Sequence, residues 1–274
     1  MIKQNFYHQA ENTNRSELST HVYDYNSWEF NSPHFHKNFE VLLVIGGSCT
    51  YTVGSDTFDL QTGDAILVLP FQVHRFTVAA DSAVRCVTFS ELLILTFAKQ
   101  LQKKKLLYPV FRPSPATARF FLDSMTELFG TRSCNIQIPN AKRMRLKGLL
   151  YTIGGEIVEQ TTPVDVGSAD MVVMDVVNYI EDNFKADISL RDVAEAKGYN
   201  YQYLSRIFNH TFGINFKTML NQYRTSYALE LLRDSDLSLT EIAFESGFQS
   251  VRSFNYVFRE SLGSSPKEFR KEKL

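Results

Sequence analysis

Three histidines and a glutamate near the start of the chain have the types and spacing of a ligand site. His34, His36 and Glu40 are separated by two and then four residues. Because side chains alternate with a period of two in an extended segment, all three would lie on one face. His74 lies in a separate segment and adds a further imidazole to a nitrogen and oxygen set that transition metals accept. Spacing alone fixes neither distances nor hydrogen-bond partners. The four residues therefore suit either a metal site or a metal-free pocket for a small molecule.

The segments that must position these residues are short, apolar or alternating, and separated by Gly, Asp and Ser. Such runs, about ten residues apart, predict strands of a sandwich or barrel of the jelly-roll kind. The predicted strands are 39–45, 49–53, 57–60, 65–69 and 84–89.

The order of residues around the histidines resembles the cupin pattern. The matching residues are His34-Phe-His36, Glu40 and Gly46-Gly47 in a first motif, then Gly63-Asp64, Pro70 and His74 in a second. The resemblance implies a β-barrel with a polar pocket. We expect the histidines and Glu40 to line an effector pocket that holds no metal and no other cofactor. Trp28, Phe35 and Phe39 are candidates to stack on a sugar ring.

Two amphipathic helices are predicted after the strand-rich region. Residues 116–130 and 141–160 carry apolar side chains at helical spacing, and the second helix also carries several basic residues. Their apolar faces could form a dimer seam or could cover the sheet, and periodicity does not separate the two alternatives. The Thr-, Pro-, Gly- and Ser-containing residues 161–168 follow and predict a linker.

The last hundred or so residues contain one helical plan twice. Residues 189–213 and 238–263 each have a short apolar-faced helix, a turn at Gly198 or Gly247, and a second helix with an uncommitted polar face. The second copy has one extra residue in its turn. A long helix, 215–233, joins the copies, and another precedes the first copy. A single pair of helices around a glycine turn is a weak signal, but two such pairs in tandem predict a double helix-turn-helix domain.

Charge supports nucleic-acid binding only through its distribution. The net charge is −1, and from residue 169 onward acidic residues slightly outnumber basic ones. However, no acidic residue occurs between Glu195 and Glu230 or between 246 and 259. The first of these windows contains Lys197, Arg206, Lys217 and Arg224, and the second contains Arg252 and Arg259. The second helix of each pair is therefore expected to present a positive face to phosphates.

The closing GFQSVRSFNYVFRESLGSSPKEFR resembles the DNA-binding domain of AraC/XylS transcriptional regulators, and the match covers residues 171–270. The resemblance implies base reading by exposed positions on the second helix of each pair. These positions are Gln202, Ser205 and Arg206 in the first copy and Val251, Arg252, Asn255 and Tyr256 in the second. Arg suits guanine, Gln and Asn suit adenine, and Val suits the thymine methyl group. Because Tyr256 stands where arginine is frequent in the family, we expect Arg206 to carry more of the readout. Asn200 and Ser250 are predicted helix N-caps.

Composition is that of ordinary globular protein, with 44% hydrophobic and 22% charged residues among 274. Three widely spaced cysteines, Cys49, Cys86 and Cys134, favour buried thiols in a reducing compartment over a disulfide framework. No apolar segment has signal-peptide character or approaches the ~20 residues needed to span a bilayer. We expect a cytoplasmic protein with no membrane partner.

The sequence thus predicts an α+β chain of two domains. Residues 1–160 form a cupin-like jelly-roll barrel with flanking helices, 161–168 a linker, and 169–274 an all-α tandem helix-turn-helix domain. The predicted function is a ligand-responsive regulator that binds double-stranded promoter DNA as a homodimer, senses a sugar or related metabolite, and contacts RNA polymerase. Two alternatives stay open: a metal-dependent cupin enzyme fused to a DNA-binding module, and a constitutive regulator whose barrel only dimerises.

Overall fold

The structure is a computed structural model that describes residues 7–8, 18–24, 33–129, 134–135 and 140–271. Contacts divide these residues into two compact units. The first holds most of the chain up to Gly167, and the second begins at Ser168 and also takes in residues 7–8. Among the helices described, none is long and apolar enough to cross a membrane.

The strands lie mainly before residue 112. They are β1 Tyr7–His8, β2 Leu18–Asp24, β3 His34–Phe35, β4 Phe39–Gly46, β5 Ser48–Val53, β6 Asp56–Gln61, β7 Ala65–Val68, β8 His74–Val78, β9 Ala83–Phe89, β10 Lys104–Leu106, β11 Val110–Phe111, β12 Cys134–Asn135 and β13 Pro163–Asp165. The five strands predicted from sequence are confirmed as β4, β5, β6, β7 and β9.

Two antiparallel sheets face each other in the first unit. Strands β11, β7, β4, β9, β2 and β12 form one sheet in that order, and β3, β8, β5 and β6 are successive neighbours in the other. Alternate residues of both sheets meet in one buried cluster, which includes Leu42, Ile66 and Cys86 from the first sheet and Tyr51, Leu60 and Phe76 from the second. The space between the sheets is therefore a packed core with alternation of the kind expected for a sandwich.

Three helices cover the outer face of the six-stranded sheet: α1 Leu95–Leu101, α2 Pro115–Phe129 and α3 Asn140–Gln160. Buried side chains of all three pack against Val41, Leu43 and Val87 in a second apolar cluster. Gly154 allows close approach of α3, because a Cβ there would lie 3.0 Å from the Phe97 ring. The apolar faces of α2 and α3 therefore cover the sheet, which is one of the two alternatives left open by the sequence.

Residues 161–168, expected to be a linker, are largely structured. Strand β13 pairs with β10, where Lys104 lies opposite Asp165 and its Nζ is 2.6 Å from the carboxylate. Thr161 is buried and donates its hydroxyl to the Ile157 carbonyl at the end of α3. Ser168 begins the next helix.

The second unit is helical, as predicted. Its helices are α4 Ser168–Asn183, α5 Leu190–Lys197, α6 Tyr201–Phe212, α7 Phe216–Asp234, α8 Leu239–Glu245, α9 Val251–Leu262 and α10 Pro266–Lys271. The pairs α5–α6 and α8–α9 are the two predicted copies, and α7 is the predicted connecting helix. A strand-rich unit followed by an all-helical unit confirms the predicted fold class.

The helices of the two copies have matching capping residues and turn glycines. Ser189 and Ser238 each accept a hydrogen bond from a backbone N–H of the first turn while an acidic residue three positions later accepts from the serine N–H. Gly198 and Gly247 both have positive φ angles, +70° and +84°, in the turn between the paired helices. The copies are therefore alike in their termini as well as in their cores.

Candidate functional site

Both predicted recognition helices begin at the expected cap residues. Asn200 accepts a hydrogen bond from the Tyr203 N–H at 3.1 Å, and Ser250 accepts one from the Ser253 N–H at 3.1 Å. These contacts confirm the predicted N-caps of α6 and α9. Each cap satisfies one backbone donor of the first helical turn, so the start of each helix is fixed.

The first predicted recognition helix, α6, exposes two of the three residues that the sequence singled out. Leu204, Phe208 and Phe212 are buried, and Gln202 and Arg206 are exposed on the other side of α6. The Arg206 guanidinium lies 5.8 Å from the centre of the Tyr203 ring. Ser205 is half-buried, and its hydroxyl accepts a hydrogen bond from the Asn209 amide at 3.3 Å. A guanidinium and two amides thus share one polar face.

The second predicted recognition helix, α9, likewise has a buried apolar side and an exposed polar side. Phe254 and Phe258 are fully buried, whereas Arg252 and Asn255 are exposed and Tyr256 is 67% exposed. Val251 is half-buried and packs against the apolar cluster of this copy. Of the four predicted residues, Val251 is partly buried in the core and the other three are exposed.

Two basic residues of the first acid-free window have structural partners, and both lie outside the predicted recognition helices. Arg224 is only 5% exposed, and its guanidinium donates to the carbonyls of Phe184 and Ala186, each at 2.8 Å. Lys197 lies 3.5 Å from the Asp175 carboxylate. Arg224 therefore does not add to a positive face: its guanidinium satisfies carbonyls beyond the end of α4, and a count of charges along the sequence does not reveal such contacts.

The structure brings His34, His36, Glu40 and His74 together. Their candidate ligand atoms all lie within 4.8 Å of one another, and each residue is no more than 3% exposed. His34 on β3 is paired directly with His74 on β8, which places their ring centres 4.2 Å apart. Glu40 lies on β4 of the facing sheet. The cluster therefore joins both sheets of the first unit.

Backbone carbonyls orient two of the imidazole rings. His36 Nδ1 is 3.0 Å from the Asn38 carbonyl, and His74 Nδ1 is 2.8 Å from the Gln72 carbonyl. A carbonyl only accepts, so both Nδ1 atoms carry the proton that is donated. In a neutral imidazole, Nε2 then presents a lone pair.

Both Nε2 atoms point to the same carboxylate oxygen. Glu40 Oε2 lies 3.1 Å from His36 Nε2 and 3.7 Å from His74 Nε2, while Oε1 accepts the Tyr51 hydroxyl at 2.5 Å. Burial lowers the pKa of His36 despite the opposing effect of Glu40. Burial alone would raise the pKa of Glu40, but its electrostatic and hydrogen-bond interactions with His74 and His36 hold it well below its usual value.

The nearby thiols and aromatic rings belong to the core. Burial, reinforced by Glu40, raises the pKa of Cys49 to about 12 and that of Cys86 well above its ordinary value, so both thiols stay protonated. Phe35 is fully buried, and Phe39 stacks on Phe89 with ring centres 5.7 Å apart. These two rings fill the interior, and Trp28 lies outside the described residues.

Tyr51 is the site residue that sequence analysis missed. Tyr51 and Cys49 share the inward face of β5, and only the packing of the two sheets brings the Tyr51 hydroxyl to Glu40 on β4. Burial and Glu40 raise the pKa of Tyr51 well above its usual value. The tyrosine is therefore a fixed donor to the cluster.

Comparison with known proteins matches both units. The model of the AraC-like ligand binding domain matches residues 17–152, and a helix-turn-helix domain model matches 193–272. The Msm operon regulatory protein of Streptococcus mutans is 24% identical over 88% of this chain and 86% of its own length. The uncharacterized HTH-type transcriptional regulator YfiF of Bacillus subtilis is 25% identical over 86% of this chain and 78% of its own.

Solved structures share the fold across both units. The apo structure of a single-residue variant of ToxT from Vibrio cholerae matches 94% of this chain and 98% of its own, with a TM-score of 0.57 and 15% identity. A second ToxT structure, of the wild-type protein bound to an unsaturated fatty acid, has the same TM-score and identity. Two domain models in the predicted order, relatives matched over 78% and 86% of their own length and a shared two-unit fold agree: the chain belongs to the AraC/XylS family of DNA-binding transcriptional regulators.

Proposed function

We propose that this regulator reads double-stranded promoter DNA with α6 and α9, and that a small molecule held by the N-terminal unit controls its output. The observation that carries the proposal is the repeated division of each recognition helix. Both helices bury phenylalanines on one side and expose Arg, Gln or Asn on the other, next to a capped N-terminus. Such a helix fits a major groove, where these side chains can bond base edges.

Base reading is assigned to the seven side chains implied by the family resemblance. Arg206 and Gln202 supply the first segment, with Ser205 beside them. Arg252 and Asn255 supply the second, while Tyr256 and the exposed part of Val251 offer apolar contact to thymine methyl groups. Because the second copy carries tyrosine at position 256, we assign the larger share of base discrimination to Arg206.

We propose a sugar or related metabolite as the effector. The match to an AraC-like ligand binding domain supports a small-molecule site in the first unit. A thermal-shift screen of the full-length protein against a sugar panel should find a compound that raises the melting temperature, by mass action on the folded state. A second panel of unsaturated fatty acids is warranted by the ligand of ToxT. If no sugar shifts the transition and a fatty acid does, the sugar assignment is wrong.

We further propose that the protein forms a homodimer through the outer face of α3. Met144, Tyr151 and Val158 are 78%, 41% and 44% exposed and recur every seventh residue. Gly148 and Gly155 lie between them, with open space where a Cβ would stand. This pattern suits close packing against a second copy of the helix. Met144→Glu with Val158→Glu should convert the dimer to monomer in light scattering, and a wild-type monomer would contradict the proposal.

The proposed function is regulatory and not enzymatic, in line with the named relatives. Because promoter DNA is its proposed target, we assign the protein to the cytoplasm with RNA polymerase as a further partner. Contact with the polymerase is assigned chiefly to the second helix-turn-helix copy.

A further inference from the structure

The six-stranded sheet contains a buried arginine whose donors are not satisfied by the described part of the chain. Arg85 lies on β9, paired with Leu43 of β4 on one side and Val22 of β2 on the other. The residue is 6% exposed, and its Nε and Nη1 atoms are enclosed with no hydrogen-bond partner among the described residues. Because arginine stays protonated in proteins, Arg85 is a buried cation.

Strand alternation places the Arg85 side chain on the face of the sheet that lies away from the histidine cluster. Val87, two residues along β9, and Leu43, directly across on β4, both belong to the apolar cluster beneath the three helices. Val84 and Cys86, on either side of Arg85 in sequence, belong instead to the cluster between the two sheets. Arg85 is therefore on the outer face of the sheet and separate from the histidine cluster.

Two other arginines show how this chain satisfies a guanidinium. Arg224 is 5% exposed and donates to two backbone carbonyls, each at 2.8 Å. Arg112 donates from Nε and Nη2 to Asp64 Oδ1, at 2.9 Å and 2.7 Å. Arg85 has no such acceptor within the described residues, and burial lowers its pKa. An uncompensated buried charge is strongly destabilising, so an anion is expected beside Arg85.

We propose that Arg85 binds the carboxylate of a small organic acid whose apolar body lies on the outer face of the sheet. A guanidinium presents a planar pair of donors that matches the two oxygens of a carboxylate. Leu43 and Val87, the described neighbours on this face, are apolar and offer no donors for the further oxygens of a phosphate. Leu43 also lines a small cavity between α2 and the sheet, with Val41 and Phe121, toward which an apolar body can extend.

The proposed site lies where the helical cover of the sheet ends. Leu43 is 3% exposed beneath the helices, whereas Ile45, two residues further along β4, is 40% exposed. A ligand can therefore approach from the Ile45 end. Because Arg85 is buried, salt should screen this interaction less than it screens a surface ion pair. The site is additional to the proposed sugar site, and its occupancy does not depend on that site or on DNA reading.

The test measures the melting temperature of the full-length protein with sodium hexanoate and sodium benzoate at constant ionic strength. Hexanamide and benzamide are the matched uncharged controls, and sodium phosphate separates carboxylate recognition from general anion binding. We expect at least one carboxylate to raise the melting temperature saturably, by mass action on the folded state, with no shift from its amide. Equal shifts from acid and amide, a phosphate shift as large as that of the carboxylates, or no saturable shift from either carboxylate overturns the proposal.

Substitutions at Arg85 distinguish a ligand site from a purely structural role. Arg85→Met removes the charge from a long side chain, so it should abolish the carboxylate-induced shift and raise the melting temperature of the ligand-free protein. Arg85→Lys keeps a charge but loses the planar pair of donors, so the shift should be smaller than in wild type. Arg75→Met, on β8 of the other sheet, is the control and should respond to carboxylate as wild type.

Asp24 is tested as an internal partner of Arg85. By strand register Asp24 lies opposite Ala83, two residues from Arg85. If the anion comes from outside the chain, Asp24→Asn should leave both the ligand-free melting temperature and the carboxylate-induced shift as in wild type. A lower ligand-free melting temperature in both Asp24→Asn and Arg85→Met would show that the chain supplies the anion itself, and would contradict the proposal.

Discussion

Replacing Arg206 with alanine is expected to weaken binding to the protein's operator by about 5- to 150-fold, since a bidentate arginine–guanine pair supplies ~1–3 kcal/mol of discrimination. The exposed guanidinium lies on the polar face of α6, next to a capped helix start. Gel shifts at fixed salt, with operator and scrambled duplexes, measure the effect. The loss should be much larger on the operator than on the scrambled duplex.

The comparison with Arg252→Ala separates the roles of the two copies. If α9 mainly positions the protein, its arginine variant should weaken both duplexes similarly and lower the slope of affinity against salt by about one. Arg119→Ala is the matched control, because Arg119 is 85% exposed on α2, which belongs to the first unit and not to either recognition helix. Equal, non-selective losses in Arg206→Ala and Arg252→Ala would contradict base reading by Arg206.

Gly247→Ala is expected to destabilise the second helix-turn-helix copy by ~3 kcal/mol or more. Gly247 has a φ of +84°, and a Cβ there would lie 2.6 Å from Lys185 Cα and 2.9 Å from the Phe184 carbonyl oxygen. A left-handed conformation costs a non-glycine residue ~1–3 kcal/mol, and displacing packed backbone adds to this cost. Hydrogen exchange of α8 and α9 should show faster opening, and operator affinity should fall with it.

Gly198→Ala supplies the matched control in the first copy. Gly198 occupies the equivalent turn with a φ of +70°, but a Cβ there would meet open space. Only the backbone term, ~1–2 kcal/mol, then applies. If Gly198→Ala raises the exchange rates of α5 and α6 as much as Gly247→Ala raises those of α8 and α9, contact with Lys185 and Phe184 does not constrain the turn.

The helical half was predictable because its signals are local. Helical periodicity, serine and asparagine caps and turn glycines all act within a few residues, so the repeats, the connecting helix and the caps at Asn200 and Ser250 could be predicted. Arg224 shows the limit of local reasoning. Its guanidinium bonds carbonyls that lie far away in sequence, and no pattern around Arg224 indicates that demand.

The histidine cluster was predictable in membership but not in chemistry. Spacing in multiples of two identified His34, His36 and Glu40, and the second cupin-like motif identified His74. The structure brings the four residues together. The lone-pair directions depend on the carbonyls of Asn38 and Gln72 and on Tyr51 from another strand. These contacts follow from strand register and loop geometry, which residue spacing does not fix.

Two helix-turn-helix copies are proposed to read the operator together, and selection of duplexes from a random library by the full-length protein tests this directly. We predict an enriched motif with two conserved segments whose centres are about one helical turn, ~10 base pairs, apart. Selection with Arg206→Ala should lose base preference in one segment and keep it in the other. No enrichment over the starting library, or a single short element that Arg206→Ala leaves unchanged, would contradict it.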